Sequence, residues 1–218
     1  MTRLRLPSLV LALLALTAAG CSGTADTRFY SLASVEPAGA ESTRPAGPAP
    51  AGPAPAGQGV AVAVGAVTLP AYLDRPQVVT RSGVYAVDLA EFDRWSEPLQ
   101  DMVPRVIAEN LSVLLGSDQV YLSPRRALPG LNHQVDIAID RFDLDDQDRV
   151  VLAARWDLIE RSRDEVVSSR KVTITEAAAD RSYGAIVAAM SKALALLSRD
   201  IAERLQAAPA QTKPARRS

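Results

Sequence analysis

The residue whose chemistry the sequence sets up most plainly is Cys21, the only cysteine among 218 residues. It follows Thr17-Ala18-Ala19-Gly20, a run of small side chains that a peptidase can admit in extended form. A thiol in that setting resembles a lipobox, and the expected chemistry is acylation: diacylglycerol on the sulfur, and an N-acyl chain on the amine freed by cleavage before Cys21. Ala18 stands where Leu is usual, with Leu16 two residues further back. Upstream, Arg3 and Arg5 form a basic head on an apolar run from Leu6 to Leu16 that only Pro7 and Ser8 interrupt. That run is too short to stay as a membrane-spanning helix, so residues 1–20 read as a secretion signal. The alternative is an ordinary signal with an Ala-rich cleavage site, which leaves an unpaired thiol on an exported protein.

The remaining chemistry-bearing residues carry weaker signals. His133 is the sole histidine and lies just past a Pro-Gly turn and Asn132, with no partner at metal-ligand or catalytic spacing, so it reads as a turn residue. Asp140, Asp143, Asp145, Asp146 and Asp148 are dense in carboxylates but lack the glycine and terminal Glu of a calcium loop, and they read as a solvated hairpin turn. There is no Gly-x-Ser-x-Gly elbow, phosphate loop or dinucleotide fingerprint in the sequence. Neither an enzyme nor a cofactor or metal is expected, apart from the covalent lipid. Lys+Arg number 24 against 25 Asp+Glu, and removing Arg3 and Arg5 leaves 22 against 25, a balance of −3 that gives nucleic acid no reason to bind. With Cys21 acylated no disulfide is available, so stability has to come from an apolar core.

The elements that would position these groups can be read from periodicity. Phe29-Tyr30-Ser31-Leu32 is a short strand signal. A stretch from 37 to 59 rich in Pro, Ala and Gly has too little apolar bulk to pack and reads as disordered. If Phe29 opens the domain, that stretch is an excursion within it; if not, it is the tether from lipid to domain, and the first reading is favoured. Val60, Val62, Val64 and Val67 make a strand that ends at Leu69-Pro70; Gln77–Thr80 and Val84–Val87 suggest a hairpin around Ser82-Gly83. Ser96 is a candidate cap for a helix carrying Leu99, Met102, Val103, Val106, Ile107 and Leu111 at three-and-four spacing, stopped by Gly116, and Pro104 suggests that regular helix begins only there. Val120–Leu122, the alternating Val135-Ile137-Ile139 run, 150–159 and 166–175 add strands, the last three as an antiparallel meander. A closing helix from about Asp180 or Ser182 to Leu205 carries Ile186, Met190, Leu194, Leu197 and Ile201 on one face. The expected fold is a single α+β domain over 29–206, a mixed or antiparallel sheet with two main helices on one face, preceded by a lipidated tether at 21–28 and followed by a frayed tail at 207–218.

Two clusters stand apart. Leu69-Pro70-Ala71-Tyr72-Leu73-Asp74-Arg75-Pro76-Gln77-Val78-Val79-Thr80-Arg81 joins two strands, and Phe92-Asp93-Arg94-Trp95-Ser96-Glu97-Pro98-Leu99 leads into the first helix. As local structure, Tyr72 and Leu73 would cover a sheet edge, Asp74 would pair with Arg75 or a turn amide, Pro76 would fix the chain before the next strand, and Trp95 would staple the helix entrance to the sheet. As a surface, a loop presenting Tyr, Arg and Trp has the composition of a partner hot spot. Together with Arg28-Phe29-Tyr30-Ser31-Leu32, these strings resemble the PqiC-type ABC-transport auxiliary lipoproteins over nearly all of the mature chain outside the Pro-Ala-Gly stretch. The long stretch itself departs from that family's short connection. The resemblance implies a periplasm-facing lipoprotein of the outer membrane that accompanies an ABC transporter with a mammalian-cell-entry (MCE) domain protein, moves phospholipid or other hydrophobic molecules and supports membrane integrity. It further implies a ring-like homo-oligomer docked on the end of the MCE channel. An assembly or plug lipoprotein for an outer-membrane barrel is the rival reading.

Overall fold

The computed structural model describes residues 26–35, 60–122 and 130–207. Among these residues eight strands form one open mixed sheet: β1 (Arg28–Tyr30), β2 (Val62–Thr68), β3 (Gln77–Arg81), β4 (Val87–Trp95), β5 (Val120–Leu122), β6 (His133–Leu144), β7 (Arg149–Glu160) and β8 (Glu165–Ala177), with helices α1 (Leu99–Leu115) and α2 (Tyr183–Ala207). The chain is thus the α+β domain that the alternation of short strands and two amphipathic helices predicts.

The long strand β6 is the spine. One edge pairs antiparallel with β7 and through it with β8, the meander expected from the alternating apolar runs. The other edge serves two strands in succession: β2 runs parallel to its first half, from Val62↔His133 to Thr68↔Ala138, and β3 meets its far end at Thr80↔Leu144. Residues 69–76 are therefore the step by which the chain leaves the ladder and rejoins it further along the same edge. Within β2 the register shifts between Val64 and Val67, and the Asp136 carboxylate fills the irregularity by accepting the Ala66 amide at 3.0 Å. A Cβ on Gly65 would lie 2.0 Å from that carboxylate, so only glycine leaves it room.

Both helices pack on one face. From α1, Met102, Val106, Ile107 and Leu111 are fully buried, and from α2, Ala193, Leu194, Leu197 and Ile201. They meet Val135, Phe142, Leu152 and Trp156 from the sheet in one core. The indole Nε1 of Trp156 donates to Asp200 of α2 at 2.9 Å, which fixes the second helix to the middle of β7. After β1, residues 31–35 cross the helix pair: the Ala33 amide donates to Ser191 of α2 at 3.1 Å and the Val35 amide to Asn110 of α1 at 2.7 Å. Asn110 and Ser198 are fully buried and bonded to each other at 3.2 Å. The stretch rich in Pro, Ala and Gly lies outside the described residues, as do residues 1–25, with the signal and Cys21, residues 123–129 and the tail from 208. In sequence it falls between β1 and β2, two strands of the same sheet.

Three local expectations are corrected. The second hairpin strand is not 84–87 but Val87–Trp95; Ser82–Ala86 form the connection, closed by the Ser82 amide on the Ala86 carbonyl at 3.4 Å. The charged string Asp88–Arg94 hides this strand, because half of it faces solvent and its register with β3 is broken by an irregularity. Helix α1 begins at Leu99 with Pro98 at its cap position, and the Pro98 carbonyl takes the Asp101 and Met102 amides; Ser96 instead pairs its hydroxyl with Ser31 at 2.6 Å. Pro104 sits inside the helix, where it forfeits one hydrogen bond. Finally, the acidic cluster is not uniformly solvated: Asp143 is fully buried and Asp145 is 6% exposed.

Candidate functional site

The string from Tyr72 to Pro76 divides in two. A short 3-10 turn over Ala71–Leu73 is closed by the Leu73 amide on the Pro70 carbonyl at 2.9 Å and the Asp74 amide on the Ala71 carbonyl at 3.2 Å. The turn points Leu73 into the core, where it is 3% exposed. It also aims the Tyr72 hydroxyl at Asp143, to which it donates at 2.7 Å. Arg81 Nε reaches the same carboxylate oxygen at 2.9 Å, and Arg141 Nε the other at 2.8 Å. The Arg81 guanidinium also lies 5.3 Å from the centre of the Tyr72 ring. A buried carboxylate is tolerable only when fully engaged, and three donors achieve that here. Burial, followed by the hydrogen bond to Asp143, holds the Tyr72 phenol in its protonated form by pushing its pKa up, and the Asp143 bond raises that of Arg81. This cluster locks the β2–β3 step onto β6.

A second carboxylate does the same for the strand nearest the N-terminus. Asp93 is 4% exposed and accepts from Arg28 Nε at 2.8 Å and from the Tyr30 hydroxyl at 2.8 Å. Since Arg28 is the register partner of Asp93, side chains and ladder fix β1 to β4 together. Burial, then the bond to Asp93, raises the Tyr30 pKa. Neither carboxylate is free to act as a base, and among the described residues no group of three or more His, Cys, Asp and Glu side chains could hold a metal ion. His133 opens β6 half-buried, with its imidazole pKa lowered by burial against the opposing pull of Glu160.

The other half of the motif faces outward. Asp74, Arg75 and Pro76 form one wall, and Trp95, Ser96, Glu97 and Pro98 the other, of an open cleft of about 340 Å³. Trp95 is 4% exposed, so it floors the cleft more than it lines it, and its amide donates to the Pro76 carbonyl at 2.7 Å, tying the two walls together. Glu97 is held by an ion pair with Arg105 of α1, which also meets Glu109 at 3.2 Å. Glu97 and Arg105 also border a second recess of about 520 Å³, which runs along β2 past Gln100 and Pro104 to Leu122. Sequence reasoning names Tyr72, Leu73, Asp74, Arg75, Pro76, Trp95, Glu97 and Pro98. The structure brings all but the inward Tyr72 and Leu73 to this cleft. Sequence reasoning misses Arg105, Gln100 and the roles of the buried partners Asp143 and Arg141, which depend on contacts across the sheet. Chemically, the arrangement is a proline-walled recess of mixed charge, with Asp74 and Arg75 on one wall and Glu97 on the other.

Among the described residues the fold is an open α+β sheet with two buried carboxylate locks and this outward cleft beside them. The family model for the ABC-type transport auxiliary lipoprotein component matches residues 43–202, and the chain belongs to that family. It is an accessory family of a transport system and not a family of enzymes. Among solved structures, an uncharacterized protein is similar at TM-score 0.62 and 16% identity, covering 83% of this chain and 99% of that one. A Xanthomonas campestris protein of the DUF330 family is similar at TM-score 0.55 and 18% identity, covering 66% and 83% respectively. A search of the curated proteins finds no match. Among the described residues no helix is long and apolar enough to cross a membrane.

Proposed function

We propose that this auxiliary lipoprotein is the outer-membrane docking component of an MCE/ABC-type system that moves phospholipid or other hydrophobic molecules across the envelope. In this reading diacylglycerol and an N-acyl chain on Cys21 are the only attached groups, and they hold the domain on the periplasmic side of the outer membrane. Ser22 follows the cysteine where Asp would favour inner-membrane retention in enteric bacteria. Copies of the chain form a ring that receives the end of the MCE channel and thereby supports membrane integrity. The observation that carries the reading is the division of the Tyr72–Pro76 string: its inner half is spent on locking the sheet, while its outer half, with Glu97 and Pro98, is left open as a recess whose walls are tied by the Trp95 amide on the Pro76 carbonyl. Rigid recesses with a buried aromatic floor are favourable places for a partner segment, because little ordering entropy is lost on binding.

The test is recovery from membranes. A full-length, lipidated, affinity-tagged chain solubilised in mild detergent is expected to bring down an MCE-domain protein, and the Glu97→Arg variant to lose it while keeping its melting temperature. Recovery of an outer-membrane barrel protein without any MCE protein would replace this reading with that of an assembly or plug lipoprotein.

A further inference from the structure

The connection between β3 and β4 is built differently from the other turns at its end of the sheet. The β6–β7 turn is polar, with Asp145 gathering the Gln147 and Arg149 amides and the Arg149 guanidinium. The β3–β4 connection instead presents Val84 at 78% and Tyr85 at 99% exposure, and the start of β4 adds Val87 at 41% and, past Asp88, Leu89 at 45%. Val84 and Tyr85 lie in the connection itself, Val84 beside the charged Asp145, Asp146 and Arg149 of the β6–β7 turn, while Val87 and Leu89 follow in the ladder opposite Arg81 and Val79; so much exposed apolar surface is costly to leave in water.

The register of β1 says what lies nearby. β1 is parallel to β4, with Arg28 opposite Asp93, so the chain enters β1 from the side on which β4 begins, which is the side of the tip. Arg28 is seven positions after Cys21, and Asp93 is seven positions after Ala86. At full extension the N-terminal leash spans about 25 Å, and the stretch of β4 from Asp93 back to the tip spans about 23 Å. A stretch of that length entering β1 from the side of the tip is long enough for the acylated residue to reach Val84 and Tyr85. The cleft at Trp95 lies at the opposite end of β4, roughly 30 Å from the tip at strand spacing.

We infer that the β3–β4 tip, Val84 and Tyr85 with Val87 and Leu89, is a second membrane contact that enters the headgroup boundary of the same leaflet as the Cys21 lipid. A phenol set between Val84 and Ala86 suits that boundary, where the ring is buried and the hydroxyl stays wet. Two contacts at one end fix the orientation of the domain as a single anchor cannot, and they turn the Trp95 cleft away from the membrane. The inference rests on acylation of Cys21, part of the function proposed above, and is independent of which transporter protein docks.

Because Cys21 is consumed by lipid, Val84→Cys provides a single free thiol for an environment-sensitive fluorophore on the full, lipidated chain. The probe is reconstitution into vesicles of phosphatidylethanolamine and phosphatidylglycerol, with and without lipids carrying a shallow nitroxide. The expected result is a blue-shifted label with roughly two-fold quenching by the nitroxide, as befits a group about 5–10 Å into the headgroup boundary. A label at Arg163→Cys, in the β7–β8 turn at the other end of the sheet, is expected to stay water-like and unquenched. A water-like label at position 84 on protein that floats with the vesicles overturns the contact and leaves the anchor standing. A blue shift without nitroxide quenching, growing with protein density, overturns it in favour of a second copy of the chain. Protein that does not float overturns both the contact and the acylation on which it rests.

Discussion

Removing the Asp143 carboxylate is the sharpest perturbation of the framework behind the cleft. In Asp143→Ala, three donors from three elements lose their common acceptor: the Tyr72 hydroxyl, Arg81 Nε and Arg141 Nε. Breaking a buried ion pair from one side costs about 3–5 kcal/mol. The arginine side chains are 22% and 31% exposed, and can turn partly to water, which puts the expected loss at the lower end, about 3 kcal/mol. For a domain of this size that is roughly a 6–12 °C fall in melting temperature. Tyr72→Phe removes one donor and leaves the carboxylate with its two arginines, so about 1 kcal/mol is expected. Asp146→Ala, in the same acidic cluster but exposed, should change stability by less than about 0.5 kcal/mol. Differential scanning calorimetry of the three variants checks the ranking. If Asp143→Ala melts within a degree or two of the parent, or no lower than Asp146→Ala, the idea that this carboxylate locks the β2–β3 step is wrong.

Two further predictions follow from single residues. Burial lowers the His133 pKa, so the neutral ring is favoured in the folded state; its contribution is fully present above the ordinary histidine value of about 6.5 and is lost as pH falls through the depressed folded value. Urea unfolding between pH 7 and pH 5 should therefore show a smaller loss of stability in His133→Asn than in the parent, and identical slopes would refute the assignment. At the end of α1, Gly116 holds φ 58° while its amide reaches the Ser112 and Val113 carbonyls, a left-handed cap that only glycine adopts without strain. Gly116→Ala meets open space yet should cost about 1 kcal/mol, read as a lower urea midpoint with unchanged slope.

How much of this was legible in the sequence depends on the kind of signal. The alternation at Val135, Ile137 and Ile139 and the stripe from Ile186 to Leu205 are strong periodic patterns, and they give the meander and α2 directly. Strand β4 escaped because Asp88, Glu91, Asp93 and Arg94 interrupt its apolar residues and no simple alternation survives the irregular pairing with β3. Asp143 escaped for a different reason. In sequence it is one of five aspartates crowded around a turn, and its burial is decided by Tyr72 and Arg81, which lie 71 and 62 residues away. The Tyr72–Pro76 string is recognisable as special, but its two roles are not separable in sequence, because it passes from inward Tyr72 and Leu73 to outward Asp74–Pro76 within a turn too short to show a period. The order of strands, with β2 and β3 sharing one edge of β6, has no local signature at all.

Site-specific crosslinking from the cleft tests the central claim most directly. Ser96 is exposed on the rim between Trp95 and Glu97, and a photoreactive residue placed there in the full, lipidated chain reports what occupies the recess in intact cells. The account predicts an adduct with an MCE-domain protein of a transport system, absent when the photoreactive residue sits at Arg163. An adduct with an outer-membrane barrel protein, and none with an MCE protein, would contradict it.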